Sequence, residues 1–535
     1  GDPLGDPEIG SFPEGLLQKL ATQGVNAVWL HTVLRTLAKD SRYPEFGEGS
    51  ERRLVHLQKL VDRCCKYGIR VFLYMNEPRG LAPEFFKVPG RERIGGATAG
   101  LLQAMCTLNP ETQRWLSDSL EKVFSSVRGL GGIFTITASE NLTSCGSRAG
   151  WRACPRCADR PRGEIIAEVN RLLNDGMKEG DPNAELIAWD WAWPEGADKE
   201  SVPALAGTGC KMMTVSEAGV PICRGGVKSK VNEYSISSPG PSARAKDFWA
   251  LAGKHGLRTM AKVQASVSWE FSPVPFLPVM DLVAEQAVNL CDCGVSGVMM
   301  AWSLGGYPSP NLEVYRDVRR GGTADEVLDR IARRRYGPAA VKHVRRAWRT
   351  MSEGFREFPM HMMTVYMGPQ QLGPANPLYA QSTGYDATMV GFPYDDIGSW
   401  RSFYPEDVYR EQMNKVAVAF AAGLEEFDAA VAAAAPECRQ TALRDRGIVA
   451  AAALHFQSVV NQIDFVLARN RRGDKVAMRA ATERELQVAK RFLPVVREDS
   501  RIGFEASCHY YYLPIDIAEK ILLCRQMLDE GAFAK

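Results

Sequence analysis

Gly132-Ile-Phe-Thr-Ile-Thr-Ala-Ser-Glu140 is an apolar, β-branched run that ends on a carboxylate, and Cys145, Cys154 and Cys157 come directly behind it. β-Branched residues favour strands, and an unbroken apolar run suits a strand covered on both faces, as in a parallel sheet. A carboxylate at the carboxyl end of such a strand is where (β/α)8 enzymes carry their chemistry.

Working outward from that strand, short β-rich runs alternate with amphipathic helical stretches, the pattern of βα units around a parallel sheet. Residues 25–31 and 69–75 read as the first two strands, with a helix over 53–67 between them. A weaker third strand falls at 101–106, before Thr107-Leu-Asn-Pro110 opens a helix at Glu111. The run ending at Glu140 is then the fourth, and a helix over 164–178 follows its loop. Residues 186–191, 211–217, 258–264 and 297–302 supply strands five to eight. Glycine recurs between a helix and the next strand, at Gly24, Gly68, Gly256 and Gly294, where it provides a left-handed cap. Eight such units in roughly 300 residues predict an α/β fold, a (β/α)8 TIM barrel over residues 1–320. An open doubly wound sheet is the alternative, but no Gly-rich dinucleotide turn follows the first strand.

After Gly322 the strand signals fade. Helical periodicity covers 324–336, 339–358, 405–435, 441–469 and 475–495, so residues 321–535 are expected to form a mostly α-helical C-terminal domain. Within it lies a long irregular segment, 359–400, rich in Gly, Pro, Met and Tyr, which reads either as a lid or as a connection between domains.

At 535 residues the chain is long enough for two domains and a large core. A net charge of +2 argues against a nucleic-acid partner, and no apolar stretch is long enough to span a bilayer. The N-terminal stretch shows no basic region followed by an apolar one, so no signal peptide is expected. Thirteen cysteines in a chain of this size read as mostly reduced thiols, which favours a cytoplasmic location and leaves a processed secreted form open. Cys64-Cys65 and Cys291/Cys293 are expected as buried apolar fillers. Self-association into a homo-oligomer is left open as a partner.

Hydrolysis of a glycosidic bond needs one carboxyl group to protonate the leaving oxygen and a second to attack or to activate water. Glu140 is the candidate acid/base. For the second carboxylate, Glu270 in the loop after strand seven comes first and Glu217, ending strand six, comes second; a salt bridge with Lys262 or Arg79 is the structural alternative for either. Other polar or aromatic residues at strand ends are candidates for holding a sugar: His31, Asn76, Glu77, Arg79, Asn141, Asp190, Trp191, Lys262, Trp269 and Trp302. Aromatic faces stack on the apolar face of a pyranose, although some of these tryptophans are equally suited to filling a core. Lys262 also admits a Schiff-base lyase or aldolase, without a phosphate-binding loop to support it. Cys154-Pro-Arg-Cys157 is a knuckle-like C-x-x-C; with Cys145 and Cys106 it makes a four-thiolate set suited to a structural zinc ion. A redox C-x-x-C lacks its thioredoxin-like context. No catalytic metal cluster is apparent among the scattered histidines.

The layout, with Glu140 after strand four and a carboxylate after strand seven, resembles the clan of retaining (β/α)8 glycoside hydrolases. Cys106, Cys145, Cys154 and Cys157 are similar to the zinc-binding cysteines of family 42 β-galactosidases. Gly24-Val-Asn-Ala-Val-Trp-Leu30 and Tyr67-Gly-Ile69 look like the start of the barrel in family 20 β-N-acetylhexosaminidases. The resemblance implies an exo-acting hydrolase of a β-linked hexose or N-acetylhexosamine, with carbohydrate as its partner. Ser139 departs from it: the clan has Asn before the acid/base Glu, and family 20 has an Asp that orients a substrate acetamido group. A two-carboxylate mechanism is therefore expected over substrate-assisted catalysis; a barrel that binds sugar without cleaving it is the rival.

Overall fold

A computed structural model describes the chain except residues 1, 7–9, 139–140, 388–390, 472–473, 506–508, 530–532 and 534–535. Seven strands form one sheet in the order Ala27–His31, Arg70–Met75, Gly132–Ile136, Glu185–Trp189, Lys211–Val215, Arg258–Lys262, Gly297–Met299. The first five pair in parallel, with Val28 opposite Val71, Leu73 opposite Ile133 and Phe134 opposite Ile187. Strand Gly132–Ile136 is buried along its whole length, as its unbroken apolar run requires. Helices return the chain between strands, among them Ser50–Cys65, Pro110–Ser126, Arg162–Gly180 and Met280–Asp292. The fold is of the (β/α)-barrel class followed by a helical region, as the periodicity predicts.

The expected third strand is not in that sheet. Residues 95–105 instead form an antiparallel hairpin, Gly95–Ala99 with Leu102–Met105, and Arg70–Met75 pairs directly with Gly132–Ile136. Among the described residues the sheet thus has seven strands where the sequence predicts eight. The run from Leu101 changes environment along its length: Leu101 sits on the hairpin turn, 89% exposed, while Ala104, Met105 and Cys106 are buried away from the main sheet. The four glycine caps do hold, with φ of 89°, 68°, 70° and 66° at Gly24, Gly68, Gly256 and Gly294. Asn109 caps the helix that Pro110 opens by accepting from the Glu111 amide at 2.8 Å.

The chain forms two compact units. One comprises Gly1–Val215, Ala245–Ala261 and Val295–Val298; the other comprises Ser216–Arg244, Lys262–Gly294 and Met299–Lys535. The first holds most of the sheet. The second holds the long helices Ala324–Tyr336, Val341–Phe355, Glu406–Ala433, Arg439–Asn470, Lys475–Glu498 and Pro514–Asp529. Its core joins helix residues such as Trp348, Phe420 and Phe456 to Val267, Phe271 and Val283. Segment 359–400 contains two short helices, Met362–Met367 and Ile397–Arg401, and 3-10 turns between them. Among the described residues, no helix is long and apolar enough to cross a membrane.

Candidate active site

In the first unit, candidate residues follow the ends of strands. His31 ends Ala27–His31, and its Nε2 lies 2.6 Å from the Arg79 guanidinium. Burial, then the Arg79 charge, hold the His31 pKa below its usual value. Asn76 and Glu77 follow Arg70–Met75 and are buried. The Asn76 amide donates to the Tyr74 hydroxyl at 2.6 Å, while its Oδ1 is buried without a partner among the described residues. Glu77 accepts from the Leu34 and Arg79 amides, at 2.8 and 3.2 Å, so it ties two loops together. Burial pushes its carboxyl pKa up, against those amides and Arg79. Asp190, after Glu185–Trp189, accepts from the Thr214 hydroxyl at 2.8 Å, and the Trp191 ring lies 6.0 Å from that of Trp189. Asn141 is half-buried, and Glu140 lies outside the described residues.

The same unit contains the thiols. Cys106, Cys145, Cys154 and Cys157 are all buried, with their sulfur atoms within 4.8 Å of one another, a set that could hold a metal ion. Cys106 Sγ is 3.7 Å from both Cys157 Sγ and Cys154 Sγ. Four sulfurs about 2.3 Å from a tetrahedral zinc lie roughly 3.8 Å apart, so these spacings suit it. Hydrogen bonds from the Cys145 and Cys157 thiols, with Arg156 Nε at 3.2 Å, hold Cys106 well below the usual thiol range, and the same contacts push Cys145 up. Gly96 leaves the room for this cluster, because a Cβ there would run into Cys145 Sγ. Of the remaining thiols expected as fillers, only Cys64 is buried; Cys65, Cys291 and Cys293 face solvent. The helical pattern places those three on or just past the polar side of their helices.

The second unit gathers several ionisable side chains. Glu217, two residues past Lys211–Val215, is 0% exposed. Its Oε1 accepts from Gln286 Nε2 at 2.7 Å, and its Oε2 has no hydrogen-bond partner among the described residues. Burial pushes the Glu217 carboxyl up to about 8, opposed by the charge of Lys262. Lys262, the last residue of its strand and also 0% exposed, is pushed down to about 7 by burial, opposed by Glu217 and Glu233. Its ammonium group sits 4.5 Å from the centre of the Tyr234 ring. Gln264 Nε2 is likewise buried without a partner among the described residues, and Gln264 Oε1 accepts from the Trp302 amide at 3.2 Å.

Glu270 stands in a different setting. Its carboxylate accepts from Ser235 Oγ at 2.8 Å, Ser237 Oγ at 2.5 Å, Ser268 Oγ at 2.8 Å and the amides of Ile236 and Ser237 at 2.6 and 3.2 Å. Both oxygens are occupied, so Glu270 pins the loop that carries Glu233. Its partners are these hydroxyls and amides rather than Lys262 or Arg79.

Two residues were not singled out in the sequence. Glu233, 2% exposed, accepts from the Tyr234 amide at 3.0 Å and from the Tyr366 hydroxyl at 3.1 Å. Tyr366 lies on helix Met362–Met367, with its ring 5.5 Å from that of Trp269. The signal available was Gly225-Gly226 between short alternating runs, which marks the hairpin Pro221–Arg224 with Val227–Lys230 ahead of the Glu233 loop.

No protein-family model and no curated protein matches the chain. Solved structures share its fold. CpGH89 from Clostridium perfringens, in complex with its substrate GlcNAc-alpha-1,4-galactose and bearing two Glu-to-Gln substitutions, aligns with a TM-score of 0.55 at 11% identity, over 99% of this chain and 61% of that one. A family 89 glycoside hydrolase from Clostridium perfringens in complex with PUGNAc aligns at 0.54 and 11% identity, over 96% and 60%. The chain therefore spans about three-fifths of the length of these relatives. At such identity the likeness is one of fold. Both of these structures are family 89 enzymes, and neither lends support to the β-galactosidase expectation.

Proposed function

We propose that the protein is a glycoside hydrolase acting on N-acetylhexosaminides. The observation that carries this reading is Glu217: a buried carboxyl group just past a strand end, with one oxygen unpartnered among the described residues and a buried lysine beside it. The shared fold with two family 89 structures supports it, one of them in complex with a GlcNAc disaccharide. That disaccharide is α-linked, so an α-N-acetylglucosaminide is the substrate to try first, beside the β-linked one expected from the sequence.

Glu217, rather than Glu270, is the second carboxylate in this reading. A group that attacks an anomeric carbon or takes a proton from water must offer a lone pair, and Glu217 Oε2 offers one. Lys262 favours its ionised form. Glu140 keeps the role of proton donor, on the strength of its place in the sequence beyond strand Gly132–Ile136. Cys106, Cys145, Cys154 and Cys157 hold a structural zinc ion; four thiolates leave no position for water, so the metal supplies no chemistry to the reaction.

The test is turnover of 4-nitrophenyl N-acetyl-α- and β-D-glucosaminides. Glu217→Gln and Glu140→Gln should each lower kcat by at least about 100-fold with the fold intact, as loss of a general acid or base does. Because Glu217 must be ionised, kcat should climb with pH through about 8. A rate that falls through pH 8 would make Glu217 the proton donor instead. Full activity in Glu217→Gln would remove it from the reaction.

A further inference from the structure

We propose that Trp269 and Tyr366 form an aromatic corner that binds the apolar face of a hexopyranose, and that Glu233 is the positioning residue that orients Tyr366. This rests on the glycosidase reading; of the two rings, Trp269 is among the sugar-binding candidates read from the sequence and Tyr366 is not.

Both rings are only partly buried, and Trp269 packs against a core whose other large aromatics, such as Phe271 and Trp348, are nearly fully buried. Their centroids lie 5.5 Å apart with the planes at 47°, so the pair makes an angled surface rather than a closed stack. These two are fixed from several sides. The Tyr366 hydroxyl donates to buried Glu233 at 3.1 Å, and the Met362 amide, at the start of the same helix, donates to Asn232 Oδ1 at 2.9 Å. The Gln371 side-chain amide, itself buried, donates to the carbonyls of Trp269 at 3.2 Å and Val365 at 2.5 Å, which ties the backbones that carry the two rings. Fixing partly exposed aromatic faces in advance lowers the ordering cost of binding a flat apolar surface. The apolar C–H face of a pyranose is such a surface, and an aromatic ring meets it while the sugar hydroxyls keep polar partners.

The lysine and carboxyl groups beside the corner set its polar edge. Glu233 feels the charge of Lys262, which in turn lies over the Tyr234 ring. Glu233→Gln would keep an acceptor for the Tyr366 hydroxyl in its side-chain carbonyl oxygen, whereas Glu233→Ala would remove that acceptor.

The experiment combines calorimetry with GlcNAc and steady-state turnover of 4-nitrophenyl N-acetyl-α-D-glucosaminide, on the wild type and on Trp269→Ala, Tyr366→Ala, Glu233→Ala and Glu233→Gln. Trp269→Ala and Tyr366→Ala should weaken GlcNAc binding and raise KM by about tenfold, with a much smaller change in kcat. Glu233→Ala should follow Tyr366→Ala, and Glu233→Gln should restore most of the affinity. Folded Trp269→Ala and Tyr366→Ala proteins with unchanged Kd and KM would overturn the inference while leaving the glycosidase reading in place. GlcNAc binding that these variants abolish, in a wild type that cleaves no N-acetylhexosaminide, would support the corner and overturn the glycosidase reading. A wild type that neither binds nor cleaves would overturn both.

Discussion

Gly132 opens the strand that leads toward Glu140 at φ 142°, and a Cβ there would strike the backbone of Glu185 on the paired strand. Gly132→Ala meets both an unfavourable backbone conformation and a clash with a neighbour that cannot move aside. It is expected to destabilise the protein by about 2–4 kcal/mol. Urea denaturation measures this, and a loss below ~1 kcal/mol would contradict the close approach. His455 gives a prediction in pH. Its ring is wholly buried, with Nε2 2.9 Å from the Gln370 carbonyl, and burial pushes its pKa from 6.5 down to about 3. Between those values the unfolded chain binds a proton that the folded chain excludes. Stability is therefore fully present above about pH 6.5 and is lost as pH falls toward 3, by on the order of 3–5 kcal/mol. His455→Gln should flatten that part of the stability curve. At this scale the sequence marks Glu217 and Glu270 alike, as acids after strands. What separates them is the shell of donors around Glu270, drawn from residues 235–237 and 268. That shell lies in a loop without periodicity, so neither it nor Glu233 could be read in advance.

Elements with strong periodicity were legible almost to their ends. The helix expected over 324–336 is Ala324–Tyr336, and Thr323 with Glu326 supplies the capping box that starts it. Hydrophobic pattern failed at residues 101–106, because a short apolar run cannot say whether its partner is the main sheet or its own neighbour in a hairpin. The hairpin has its own consequence for the thiol cluster. Its strand Gly95–Ala99 brings Gly96 and the Ala97 amide against Cys145, with the amide donating to Sγ at 3.4 Å. The cysteines therefore connect the hairpin to the loop after Gly132–Ile136. Purified protein is expected to contain about one zinc per chain by elemental analysis. Cys154→Ser should lose the metal and more than about 2 kcal/mol of stability, since binding a structural metal is part of the folding free energy. A metal-free wild type with the same melting temperature would show that the four thiols are unligated core residues.

At the scale of the whole molecule, periodicity suggests a boundary near residue 320, where strands give way to helices. The two compact units divide along other lines: Ser216–Arg244 and Lys262–Gly294 belong with the helices beyond Met299. Hydrophobic pattern reports which faces are buried but not what they are buried against, so this exchange of segments was invisible in the sequence. A fragment ending at residue 320 is expected not to give a protease-resistant barrel, because Val267, Phe271 and Val283 would lose the helices that cover them. Limited proteolysis compared with the full chain would check this; a resistant fragment would show that the barrel stands alone. The same interleaving has a bearing on synthesis. As the chain leaves the ribosome, Ile222, Val231, Ile236 and the stretch around Phe271 emerge well before helices Val341–Phe355 and Arg439–Asn470 exist to receive them. For that interval the nascent protein displays sticky apolar segments of a unit that is still incomplete, so slowed elongation between the two regions would lengthen its dependence on chaperones.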